Sequence, residues 1–129
     1  MKKDEEKIKR AITELLDRAV LEAQEVLLCV FEYDGNSNDR AGDAVRAVMR
    51  AVHFATRAQI DMDLASDAEK HLPVADKKLQ ALIAHAGGIV QRALDQGERI
   101  SQDFVNVADS ADTSCSSENE TATNKYATN

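Results

Sequence analysis

Tryptophan is absent from the 129 residues, proline occurs once, cysteine twice and glycine five times, and aromatic residues make up 4%. Sheets draw on aromatic and β-branched side chains and on frequent turn formers, so this scarcity excludes a typical β architecture and favours helices. Cys29, inside an apolar run, and Cys115, in a Ser-rich stretch, offer neither a disulfide framework nor metal-ligand spacing, which fits a reducing, cytoplasmic setting. The longest apolar run, VLLCVF at 26–31, is too short to span a bilayer, and no apolar segment follows the N-terminal lysines as it would in a secretory signal. No Gly-rich phosphate loop, nucleophile elbow, paired-His metal motif or dinucleotide fingerprint occurs. The sequence therefore names no catalytic residue, no metal ligand and no cofactor, and predicts a protein that is not an enzyme.

What is present is apolar rhythm. Residues 73–108 place Ala75, Leu79, Leu82, Ala86, Ile89, Ala93, Gly97, Ile100, Phe104 and Val107 at three- and four-residue steps, the spacing of one helix face. From about Asp4 to Tyr33, Ile8, Ile12, Leu15, Leu16, Ala19, Ala23, Val26, Leu27 and Val30 form a second such face. Asp34-Gly35-Asn36-Ser37-Asn38-Asp39 is a run of turn formers that ends it and supplies Ser37, Asn38 or Asp39 as a cap for the next helix. The second helix, to about Lys70, carries Ala41, Ala44, Val45, Val48, Ala51, Val52, Ala55 and Met62 on one side. Leu72-Pro73 marks its boundary with the third, in preference to a start at the capping-box pattern Ser66-x-x-Glu69 with a kink at Pro73. Gly87-Gly88 is the weakest point of the third helix, where a bend or fraying but not a break is expected. Helices of this length and turns this short predict an all-α fold, an antiparallel up-down-up bundle of three long helices.

Residues 1–108 hold 15 basic and 19 acidic side chains (−4) and residues 109–129 hold 1 and 4 (−3), so neither part is a polyanion binder by bulk charge. The second part, rich in Ser, Thr, Asn and acids, cannot offset its ordering entropy by burial and is expected to be a disordered tail following a bundle domain at 1–108. Its Asn119-Glu120-Thr121 matches a glycosylation sequon by chance in a chain without a secretory signal.

Three groups of residues invite a functional reading. Arg46, Arg50, His53 and Arg57 recur at four, three and four, which aligns them on the solvent side of the second helix, facing phosphates or an acidic partner. An acidic domain with no aromatics beside the stripe disfavours nucleic acid, leaving a nucleic-acid accessory role as one alternative. Asp61, Asp63, Asp67, Glu69 and His71 cluster near the end of the same helix, but Ser66 and Leu72 stand where a calcium loop requires Gly and Glu, so no metal is expected. Lys78, His85, Arg92 and Arg99 recur at sevens on the third helix, and His85 with nearby Gly87 and Gly88 resembles a phosphotransfer domain, which would imply a signalling bundle with His85 as phosphoacceptor. The resemblance covers only these residues, and the family's Lys and Gly, three and four after the His, are Gly88 and Ile89 here.

The preferred expectation comes from apolar residues off the main faces: Leu21 with Leu28 on the first helix, and Met49 with Ile60 and Leu64 on the second. A single bundle has no use for them, so they predict a contiguous patch that binds a protein partner or, most simply, a second copy in a homodimer. The function expected is thus that of a small non-catalytic interaction module, with Arg46, Arg50, His53 and Arg57 as a charged partner-binding stripe.

Overall fold

A computed structural model describes residues 2–35 and 40–122, with side chains over 3–35 and 42–110. Three helices, α1 (Lys2–Tyr33), α2 (Arg40–Glu69) and α3 (Lys77–Ala122), account for the fold, and the described residues contain no strand. The all-α class expected from composition is what is found.

Side-chain pairs give the topology. Lys9 Nζ meets Asp76 Oδ2 at 3.2 Å and Tyr33 Oη donates to Asp103 Oδ2 at 2.5 Å, so α1 and α3 run in the same direction, level at both ends of α1. Arg57 pairs with Glu22 and Arg50 with Glu25 and Glu32, which sets α2 antiparallel to α1. The order is up-down-up.

Local chemistry explains the helix ends. Asp4 and Glu5 lie in the first turn of α1, where the dipole favours them. The Asp34 N–H closes the helix on the Val30 carbonyl at 2.9 Å, and Gly35 turns the chain with φ +108°. The capping candidates Ser37, Asn38 and Asp39 lie outside the described residues. At the other end, α2 tightens into i→i+3 bonds from Lys70 to Asp67, His71 to Ala68 and Leu72 to Glu69. The third helix begins at Lys77 and not at Pro73, because Asp76 caps it: its Oδ1 accepts the Leu79 N–H at 3.1 Å. That bond first, and Lys9 second, hold the Asp76 carboxyl below the usual carboxylate range.

The core is Ile12, Leu16, Ala19, Ala23, Val26, Cys29 and Val30 from α1, Ala47, Ala51, Ala58, Met62 and Ala65 from α2, and Leu79, Ala86, Val90, Ala93 and Ile100 from α3. The run of alanines lets α2 lie close to its neighbours. Gly97 does the same for α3, since a Cβ there would stand 3.3 Å from Val26 Cγ1. Several residues expected in the core are not. Val45 and Val52 turn outward, because the buried arc of α2 is centred on its alanines. Leu82 is 44% exposed and Ile89 only partly buried, whereas Ile100, in phase with Leu82 five turns further on, is fully buried. Leu27 and Val107 are likewise exposed.

Gly87-Gly88 does not interrupt α3, which is helical throughout, and Gly87 lies 3.7 Å (from an added Cβ) from Met62 Cε. The helix continues to Ala122, beyond the end at Ala108 expected from composition. Side chains past Ser110 and all of residues 123–129, including most of the expected tail with Cys115 and Asn119, lie outside what is described. No helix among the described residues is long and apolar enough to cross a membrane.

Candidate interaction surface

The basic stripe of α2 is exposed, as expected, but two of its arginines lean across the border with α1. Arg50 reaches Glu25 Oε1 at 3.5 Å and Glu32 Oε1 at 3.8 Å, and Arg57 Nε donates to Glu22 Oε2 at 3.2 Å. Arg46 pairs with Asp43 one turn back, and exposed His53 packs edge-on against Phe54 with ring centroids 5.0 Å apart. Two of the three arginines are therefore held by carboxylates of the neighbouring helix, which weakens the stripe as a phosphate-binding surface. The same pairs fasten α1 to α2.

Beneath this seam is a feature that sequence reasoning missed. Glu22 and Asp61 are each only 7% exposed, and their carboxyl groups face each other closely enough to hydrogen-bond. Glu22 Oε1 and Asp61 Oδ2 have no other partner. Burial, and then Asp61, push the Glu22 carboxyl above its ordinary range, while Arg57 opposes them. Both orphaned oxygens are acceptors, so only a proton on one of the two carboxyls would join them by a hydrogen bond. The signal lay in the helical phase: Glu22 precedes Val26 by four and Cys29 by seven, and Asp61 lies between Ala58 and Ala65, so both sit inside apolar arcs.

Leu21, Leu28, Met49, Ile60 and Leu64 are all exposed, as their positions off the main faces predicted. They do not form one patch. On α1, Leu21, Leu28 and exposed Phe31 make one stripe, with a shallow groove of about 530 Å³ lined by Gln24, Leu27, Leu28 and Phe31. On α2, Val45, Met49, Val52, Ile60 and Leu64 make another. At about 100° per residue, Glu25, Glu32, Arg50 and Arg57 fall between the two stripes, so a line of ion pairs separates them. The α2 stripe borders a second groove, of about 470 Å³, between Val52, Thr56 and Ile60 of α2 and Leu94, Gly97 and Ser101 of α3. The small Gly97 opens it.

The remaining candidates are scattered. His85 is exposed on α3, near Gly88, where an added Cβ would meet nothing within 4 Å. Lys78, Arg92 and Arg99 are exposed on the same helix, Arg99 donating to Asp34 Oδ2 at 2.9 Å. Of the acidic group, Asp61 points inward, Asp67 pairs with Lys70 at 3.7 Å and Glu69 accepts from Gln80 Nε2 at 3.2 Å. Among the described residues no three His, Cys, Asp or Glu side chains are placed to hold a metal ion. Cys29 is buried, and burial pushes its thiol up, away from the reactive thiolate. Compared with protein-family models, with curated proteins and with solved structures, the chain has no significant match.

Proposed function

We propose that the protein is a non-catalytic helical interaction module that works by binding protein, and in the first place a second copy of itself. The observation that carries this reading is the α2 stripe: five large apolar side chains on one outward face, Met49 being 66% exposed. An apolar surface of a few hundred Å² on a small domain is typical of a binding site. The titratable groups support the same reading, since the Glu22–Asp61 pair is buried and His85 stands on exposed surface. A cytoplasmic setting suits the chain, in which Cys29 stays a buried, protonated thiol.

Light scattering coupled to size-exclusion chromatography tests the proposal. Wild type is expected at twice the 14.1 kDa chain mass, and Leu28→Glu with Ile60→Glu at the single mass with unchanged helicity. A wild type that runs as a monomer at every concentration argues against self-association.

A further inference from the structure

We infer that the second copy docks on α2, in a two-fold dimer whose α2 helices pair antiparallel. The inference rests on the self-association reading and says which of the two apolar stripes serves it.

Two features of α2 favour this occupant. The first is a charge gradient along the helix: residues 40–54 carry Arg40, Arg46 and Arg50 against Asp43, and residues 55–69 carry Asp63, Asp67 and Glu69, with Asp61 buried beneath them, against Arg57. Only an antiparallel copy sets basic half against acidic half, and a two-fold axis does so twice. The second is the spacing of the stripe. Val45, Met49, Val52, Thr56, Ile60 and Leu64 recur at three- and four-residue steps over about 28 Å of helix, the length and rhythm of a helix-pairing seam. With the axis midway between His53 and Thr56, Val45 of one protomer meets Leu64 of its partner and Met49 meets Ile60. Arg46 then stands opposite Asp63 at both ends.

The shape agrees with this register. Met49, the most exposed residue of the stripe, arrives beside Ile60, at the edge of the 470 Å³ groove between α2 and α3, so each protomer offers a flexible knob and receives one. Arg46 donates to Asp43 on its own helix and Asp63 accepts from Gln59 Nε2 at 2.9 Å, and the new contacts are made beside these bonds. The α1 stripe lies across the line of ion pairs from this seam and takes no part.

The test uses the full chain, with dimer dissociation constants from sedimentation or light scattering and helicity from circular dichroism. Met49→Glu should weaken the dimer at least 30-fold without loss of helicity, because the side chain is exposed in the monomer. Arg46→Glu and Asp63→Arg should each weaken it about 5- to 20-fold, and the double variant should recover to within about 3-fold of wild type, since opposite charges again face each other. Leu21→Glu should change nothing. Loss of the dimer in Leu21→Glu or Leu28→Glu, with Met49→Glu unaffected, overturns the α2 seam and leaves self-association standing through α1. Failure of the double variant to recover overturns the antiparallel register, and a monomeric wild type at 0.5 mM removes both the seam and the self-association reading.

Discussion

Glu22 and Asp61 show how one buried pair can oppose the packing around it. Two buried carboxylates side by side cannot both ionise cheaply, and the guanidinium that reaches Glu22, that of Arg57, is half exposed. Because the folded protein raises the Glu22 pKa above its unfolded value near 4.5, this residue adds stability below that value and loses it as pH rises through the folded pKa. Acidification from pH 7 towards 5 therefore relieves a cost. Asp76 works in the opposite direction, its lowered pKa adding stability above the unfolded value that is lost only in stronger acid. In thermal melts at pH 7 and pH 5, the wild type should gain more, or lose less, on acidification than Glu22→Gln, whose neutral amide donates to Asp61 at either pH. Identical pH dependence in the two proteins would show that no proton is shared. Tyr33 is a second perturbed group: burial and the hydrogen bond to Asp103 push its phenol up to about 12.

At the scale of the helices, the glycines of α3 separate propensity from packing. Gly88 is exposed and an added methyl meets nothing, so Gly88→Ala should raise stability by about 0.8–1 kcal/mol through helix propensity alone. Gly97 has the same propensity to gain but sits against Val26, where a Cβ is already tight at 3.3 Å and a branched side chain forces α1 and α3 apart. Gly97→Val should therefore cost on the order of 1–3 kcal/mol by urea unfolding. Equal effects at the two positions would mean that α1 and α3 do not approach closely there. The three helix ends follow a related logic, each set by one local device: the first-turn acids of α1, the positive-φ Gly35 after it, and the Asp76 cap of α3.

For the whole molecule, the relevant fact is that α1 ends level with Asp103, so α3 beyond that point has lost α1 as a neighbour. Val105 and Val107, past that point, are exposed. Truncation after Ser110 should accordingly leave the melting temperature within about 2 °C of the full chain. A fall of ten degrees would place part of 111–129 against the bundle. Self-association adds a concentration dependence, because a dimer stabilises the folded state by mass action, so this comparison belongs at matched protein concentration.

The helical class, three helices and the boundaries of α1 and α2 were legible from period, turn formers and the scarcity of aromatics, because these act within a few residues along the chain. The outward positions of Leu21, Leu28, Met49, Ile60 and Leu64 were legible too, being out of phase with every neighbour. The start of α3 was not, since Pro73 and Asp76 are both good local signals and the contact of Asp76 with Lys9, far away in sequence, favours the second. Nor was the choice between Leu82 and Val90, or between Val52 and Ala58, for burial. Each pair lies within reach of one apolar arc, and which member turns inward depends on how closely the facing helix approaches, a distance set by Ala47, Ala51 and Gly97 acting together. The same holds for the charges. Arg50 and Arg57 are solvent-facing on an isolated wheel, and only the lateral position of α1 brings Glu22, Glu25 and Glu32 to them, divides the apolar surface in two and buries an acid pair beneath the seam. Periodicity determines which residues share a face; the approach of the neighbouring helix decides what that face meets.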